Sequence, residues 1–313
     1  MAAPRRKRRH DESVPSDPVV PAGPSPVDLH AHSTRSDGVL EPAVLLGAAA
    51  AAGVKVFSLT DHDTLGGCRD VVSSGAVPDG MELIPGIEIN AVVDRQDLWE
   101  SELHILGFGM DLEDDAFESI LSSQRARRRE RFQRTIVRLR ELGLAVDEQL
   151  STLDLRGDDA LGRPTIARAL MAAGHATSVD DAFQRIVGRG CPAYVPRSGL
   201  GPVGAIEAIR AAGGLPSLAH FREGVTRRAL VEELVDAGLA GLEVYYRSFD
   251  RPTTEAMAQL AASLGLLATG GSDYHGDTGT YAESHARLWV PREAGAALQE
   301  ALAGEAQAHV ERG

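Results

Sequence analysis

The sequence predicts an α/β fold in which strand–helix units close into a barrel interrupted by a block of helices. Three observations lead there. From Val27 onward, short apolar strand-like runs alternate with helix-length amphipathic segments. Histidines and acids collect in or just beyond those strands, at the end where a parallel barrel gathers its strand termini on one rim. Between residues 111 and 197 the rhythm changes to helices without convincing strands. The barrel is therefore expected over 26–110 and 198–313, with 111–197 as a helical insertion that caps it.

Residues 1–25 are rich in Pro, Ser and charge and cannot bury a core, so a disordered lead-in is expected, with the basic run at residues 5–9 as a solvated tail. VDLH (27–30) is the first strand. Pro42 opens a helix with an Ala-rich body and Gly53 ends it. VKVFSL (54–59) is the next strand and runs into Thr60, Asp61, His62 and Asp63. MELIPGIEIN (81–90) reads as a strand broken at Pro85-Gly86, and ELHILGFG (102–109) as a strand carrying His104. In the insertion, 122–142 is a long amphipathic helix with Phe132, Ile136, Leu139 and Leu142 near helical spacing, followed by helices from Pro164 and Ser178. The alternation resumes with a helix at 202–212, a strand ending in His220, a helix at 226–237, GLEVYY (241–246), a helix at 253–264 and a strand leading to Ser272-Asp273-Tyr274-His275. A last strand at 286–290 and a helix complete the series.

The formal net charge of −13 argues against stoichiometric nucleic-acid binding, and no stable nucleic-acid complex is expected. Two cysteines, Cys68 and Cys191, lie far apart and outside any C-x-x-C pattern, which speaks against a disulfide framework or thiolate zinc site and suits a reducing cytoplasm. No apolar run approaches the roughly 20 residues of a membrane span, and no signal peptide is expected.

Six of the ten histidines, His30, His32, His62, His104, His220 and His275, fall at the strand ends with Asp37, Glu88 and Asp273 among them. In VDLHAHSTRSDG (27–38), Asp28, His30 and His32 alternate, so on a strand they share one face, and Asp28 is placed to accept a free imidazole N–H. Imidazole plus carboxylate without thiolate suits Zn²⁺, Mn²⁺ or Fe²⁺, and nine donors exceed what one ion takes. Two or three ions are expected. Asp61 and Asp63 are expected to orient or cap, Glu243 to lie near the rim in a hydrogen-bonding or substrate role, and His10, His175, His285 and Tyr274 to be ordinary tail or packing residues.

The motifs DLHAHSTRSDG, TDHD, PGIEI, the strand His104, SLAH and GSDYH, in that order over about 27–290, resemble those of the PHP (polymerase and histidinol phosphatase) superfamily. The insertion, with its Arg-rich helix, GRPTIARALMAAGH and PAYVP, further resembles the bacterial branch that hydrolyses nucleoside 3′,5′-bisphosphates, nucleoside monophosphates and short RNA from its 5′ end. The resemblance implies a distorted (β/α)₇ TIM-like barrel and a trinuclear site. It would place His30, His32, Glu88 and Asp273 on one ion, Glu88, His104 and His220 on a second, and Asp37, His62 and His275 on a third. Two positions depart from the branch: Thr165 stands where histidine is expected after GRP, and Phe221 where proline follows Ala219-His220.

The implied enzyme is a phosphatase or phosphoesterase acting on a small phosphorylated nucleotide. A hydroxide activated between two divalent ions would attack phosphorus without a dedicated general base. Glu88, Asp273 and His275 are the expected catalytic residues, and Arg125, Arg128, Arg129, Arg163 and Arg197 the candidate phosphate clamps. The alternatives are a phosphatase for another small ester such as histidinol phosphate, a C–N hydrolase of the amidohydrolase type, and a non-catalytic metal-stabilised module.

Overall fold

The computed structural model describes residues 24–93, 102–152, 162–276 and 279–312. Residues 1–23, with the basic run and most of the expected tail, lie outside the described residues. Seven strands, β1 (Val27–Asp28), β2 (Val56–Leu59), β3 (Glu82–Val92), β4 (Glu102–Phe108), β5 (Leu215–Leu218), β6 (Gly241–Tyr246) and β7 (Leu267–Gly271), pair in sequence order. Leu29 N donates to Gly270 O at 3.0 Å, and Ala31 bridges Tyr274, which brings the last strand back to the first. The result is a nearly closed barrel, a distorted form of the TIM-like arrangement. Gly271 permits this closure, since a Cβ there would stand 2.3 Å from His30 N.

Helices α1 (Pro42–Ala51) and α2 (Gly66–Ser73) cover the first strands. The helix expected from 122 starts earlier: α3 (Asp115–Glu141) begins where the Asp114 carboxylate accepts from Phe117 N. Phe117 and Leu121 of α3 pack into the barrel's apolar layer. Phe132 and Leu139, further along, join a separate cluster with Leu150, Ile166, Leu170, Ile186 and Ala193. That cluster also takes α4 (Asp147–Ser151), α5 (Arg163–Ala172) and α6 (Val179–Ala182), the last running into a π-turn over Phe183–Val187. α7 (Pro202–Ala211), α8 (Arg228–Asp236), α9 (Arg251–Ser263), α10 (Tyr281–His285) and α11 (Arg292–Arg312) complete the outer layer.

Three expectations are corrected. The sheet is mixed, because β4 runs antiparallel to both β3 and β5. His104 lies opposite Asn90, near the start of β4. It reaches the rim because a reversed strand brings its N-terminal end there. Pro85-Gly86 does not break β3: Pro85 takes part through its carbonyl, which accepts from Gly109 N at 2.7 Å, and Gly86 lets β2 approach, a Cβ there meeting Ser58 Oγ at 2.1 Å. The stretch at 286–290 forms no strand; Leu288 and Val290 are buried against Val27, Leu29 and Leu298, so their alternation reports packing.

Candidate metal centre

All nine predicted donors meet at one mouth. Leu29 and Ala31 are fully buried, so the alternation turns His30 and His32 the other way, towards the mouth. Three non-glycine residues here, Asp63, His220 and Asp273, have φ of 54°, 29° and 47°. Such a conformation costs on the order of 1–3 kcal/mol and persists only when neighbours impose it. They do so here: Asp63 N donates to Glu88 O at 3.0 Å, Asp273 N to His30 O at 2.7 Å and His220 N to Glu243 Oε2 at 2.6 Å.

The donors fall into three sets: His30, His32, Glu88 and Asp273; Glu88, His104 and His220; and His32, Asp37, His62 and His275. In the first set His30 Nε2 and His32 Nε2 are 3.1 Å apart, each lies 3.4 or 3.1 Å from Glu88 Oε2, and each lies 3.2 or 3.3 Å from Asp273 Oδ1. Four donors held tetrahedrally at roughly 2.0–2.1 Å from one ion stand roughly 3.3–3.4 Å apart, so these spacings fit a divalent cation. Glu88 Oε1 turns to His104 Nδ1 at 2.8 Å and His220 Nε2 at 3.2 Å, so the two oxygens of one carboxylate serve two sets. Asp37 Oδ1 is 3.1 Å from His275 Nε2, and Asp37 Oδ2 is 3.8 Å from His62 Nε2. Asp37 Oδ1 and Glu88 Oε2 are buried without a hydrogen bond, which a cation would satisfy. His32 belongs to two sets because Nε2 faces the first and Nδ1 faces Asp37 at 3.9 Å.

The charges have adjusted to this crowding. Burial opposes ionisation of Glu88, but His62, His104 and His30 hold its carboxyl well below the usual range; Asp37 is held down likewise by His62 and His275. Burial disfavours a charge on His275 too, yet Asp37 and Asp273 raise it to about 10. His62 goes the other way, pushed well down by burial.

Behind the donors stands a layer of oriented groups. Asp61 accepts from Ser33 N, Ser33 Oγ and Ser36 Oγ, each at 2.8 Å, and so fixes the loop between His32 and Asp37. Asp28 does not accept an imidazole N–H as expected. It is spent on Ser272 N at 2.8 Å, Tyr281 OH at 2.6 Å and His30 N at 3.3 Å. The imidazole role goes to the fully buried Glu243, whose Oε1 lies 2.9 Å from His30 Nδ1. Tyr246, which sequence reasoning passed over, donates its phenol to Asp273 Oδ2 at 2.9 Å.

The candidate clamps separate. Arg128, Arg163 and Arg197 line one pocket together with Arg131, Phe132 and Thr135. Arg163 and Arg197 flank Glu102 at 3.0 and 2.8 Å, and Arg128 binds the Asp63 carboxylate beside His62. Arg131 was not predicted, although its spacing from Arg128, with Phe132 and Thr135, marks one helical stripe. Burial and the neighbouring Arg163 and Arg197 push its guanidinium down to about 9. Arg125 donates to Asp63 O at 3.0 Å and pairs with Glu118, and Arg129 is half-buried outside the pocket lining.

No family model matches the sequence. Among curated proteins, a 5′-3′ exoribonuclease of Haemophilus influenzae is 33% identical over 253 residues, 79% of this chain and 89% of that protein. A 3′,5′-nucleoside bisphosphate phosphatase of Chromobacterium violaceum is 31% identical over 80% of this chain and 87% of its own length. Among solved structures, a protein of Bifidobacterium adolescentis described as a metal-dependent phosphoesterase superposes with a TM-score of 0.74 at 29% identity, covering 90% of this chain and 96% of that one. A Chromobacterium violaceum structure with bound sulfate, described as an amidohydrolase, gives 0.72 at 28% identity over 86% and 99%. With three donor sets at the mouth of a barrel of this shape, the chain is a metal-dependent hydrolase of phosphate esters and belongs to the PHP superfamily, in the branch of the 5′-3′ exoribonucleases and nucleoside bisphosphate phosphatases.

Proposed function

We propose that the chain hydrolyses phosphomonoesters of small nucleotides in the cytoplasm: a nucleoside 3′,5′-bisphosphate or nucleoside monophosphate, and by the same chemistry short 5′-phosphorylated RNA. Two or three divalent ions, Mn²⁺, Zn²⁺ or Fe²⁺, would be held by His30, His32, Asp37, His62, Glu88, His104, His220, Asp273 and His275. The observation that carries the substrate reading is the arginine pocket lying against the donor cluster, joined to it by Arg128 and Asp63. A substrate with one phosphate at each place satisfies both.

When bound, the ions supply an activated water and neutralise the phosphoryl oxygens. The chain supplies the rest. Glu88 holds the sets in fixed relation through its two oxygens, while Asp273 Oδ1 and His275 Nδ1, 3.4 Å apart, link the first set to the third. Loss of any of these three would stop turnover. Arg131, Arg163 and Arg197 would grip the phosphate that does not react and so orient the ester that does. Residues 111–197 would act as the cap that brings this grip over the mouth. A carboxylated-lysine chemistry finds no residue here: the sequence has only Lys7 and Lys55, and Lys55 precedes β2 at the opposite end from His62.

Phosphate release with Mn²⁺ across adenosine 3′,5′-bisphosphate, AMP, a 5′-phosphorylated oligoribonucleotide and histidinol phosphate tests the reading. The bisphosphate is expected to exceed histidinol phosphate in kcat/KM by at least about tenfold, or 1.4 kcal/mol. Preference for histidinol phosphate would move the substrate class, and metal uptake without hydrolysis of any ester would make the chain a non-catalytic module.

A further inference from the structure

Every strand of the barrel except β6 brings a donor to the mouth, on itself or just past its end. β6 brings Glu243 and Tyr246, and both touch donors. Strict alternation would put Tyr245 on the face of Glu243 and turn Tyr246 away. The pairing with β7 shows why it does not. Glu243 lies opposite Thr269, Tyr245 opposite Gly270 and Tyr246 opposite Gly271, so two steps on β6 match one on β7. This bulge reverses the parity after Val244. Gly270 accommodates it, since a Cβ there would stand 2.4 Å from Tyr245 O. Tyr245 consequently packs among apolar residues, and the Tyr246 ring enters the mouth 5.3 Å from His220 and 5.2 Å from Phe249.

We infer that Tyr246 is a positioning residue that makes Asp273 a one-oxygen ligand: the phenol holds Oδ2 and leaves Oδ1 alone to face His30 and His32. This rests on the metal-binding reading of the cluster. A carboxylate with a free second oxygen can chelate through both, which would open the compact first set and loosen the bond that Glu88 shares with it. The aromatic neighbours His220 and Phe249 limit rotation of the ring, so the phenol meets Asp273 without a conformational search.

The test compares full-length wild type, Tyr246→Phe, Tyr246→His and Tyr245→Phe, each stripped by chelator and titrated with Zn²⁺ against a chromophoric competitor, with kcat and KM measured separately. Tyr246→Phe is expected to weaken the tightest site by roughly 10- to 100-fold, the range for groups that orient a ligand, and to lower kcat with KM little changed. Tyr245→Phe should stay within about threefold of wild type, and Tyr246→His, which keeps a donor, should recover part of the loss. Wild-type affinity in Tyr246→Phe overturns the inference. A Tyr246→His as weak as Tyr246→Phe also overturns it, by assigning the effect to ring packing. If wild type itself takes up no Zn²⁺, the reading of the cluster fails and this inference falls with it.

Discussion

The donor cluster and the arginine pocket adjoin, yet they handle charge in opposite ways. In the cluster, the groups that offset Asp37, Glu88 and Asp273 are imidazoles, whose proton can leave when a cation arrives. In the pocket the charges are guanidiniums, which cannot lose theirs near neutrality; among the described residues, the carboxylates paired with them are Glu102, with Arg163 and Arg197, and Asp63, with Arg128. A site built on histidine accepts exchangeable cations, whereas one built on arginine keeps a standing demand for an anion. The two demands differ in sign, and a metal-bound phosphate ester with a second phosphate meets both.

The largest effect expected from breaking this arrangement is at Glu88, because its two oxygens serve different donor sets. Glu88→Ala, and likewise His30→Ala, should cut Mn²⁺-dependent phosphate release by at least about a thousandfold, some 4 kcal/mol of barrier, with the circular-dichroism spectrum unchanged. Retention of more than about a tenth of the activity would remove that residue from the machinery.

Next in size is the pocket. Arg131→Ala and Arg163→Ala are expected to lower kcat/KM for adenosine 3′,5′-bisphosphate by roughly 10- to 100-fold, or about 1.4–2.7 kcal/mol, while changing that for AMP by less than about threefold. Arg131 makes the sharper probe. Burial, together with Arg163 and Arg197, pushes its guanidinium down to about 9, so an arriving phosphate would offset a charge its surroundings disfavour. Equal losses on both substrates would deny the pocket any part in recognising a second phosphate.

The contrast also marks where sequence was readable. Short-range regularity carries the cluster: His30 and His32 alternate, and polar groups recur at strand ends, so the sequence alone brings residues far apart in the chain to one mouth. What defeated reading was anything that changes parity or direction. β4 reverses, so His104 reaches the rim from the strand's beginning. The bulge at Val244 turns Tyr246, rather than Tyr245, to the face of Glu243. The stretch 286–290 reads as a strand because burial against a barrel wall, as at Leu288 and Val290, and pairing in a ladder leave similar apolar patterns. Asp28 and Glu243 exchanged roles for a related reason: both are carboxylates near His30, and only the packing of Tyr281 and Ser272 on Asp28 decides which one meets the imidazole.

A smaller effect tests how the pocket holds itself together without a ligand. Burial works against the Glu102 carboxylate, but Arg197 and Arg163 bring it down from 4.5 to about 2. A depressed carboxyl contributes stability that is complete above pH 4.5 and is lost as pH falls through about 2. Its share is at most roughly 3 kcal/mol at neutral pH. Urea unfolding of wild type and Glu102→Gln should therefore differ by an amount of that order at pH 7 and converge as pH approaches 2. A difference that persists unchanged at low pH would mean that Glu102 acts by packing and leaves the arginines to other partners.

The smallest effect belongs to the outer side of the same helix. Arg134 is 61% exposed and stands 3.8 Å from Glu130, itself 66% exposed, four residues back. Water screens such a pair, so Arg134→Ala should change unfolding free energy by less than about 0.5 kcal/mol. If the arginines of α3 act only through the pocket, kcat/KM for adenosine 3′,5′-bisphosphate should stay within about twofold. The comparison becomes sharper with 5′-phosphorylated oligoribonucleotides of increasing length. A substrate confined to the mouth makes the variant indifferent to length. A chain that runs on across the exposed face would add phosphate contacts one by one, so the loss in Arg134→Ala would grow with length and shrink as salt is raised. Such a trend would extend the anion-seeking region beyond Arg131, Arg163 and Arg197 to the solvent side of α3.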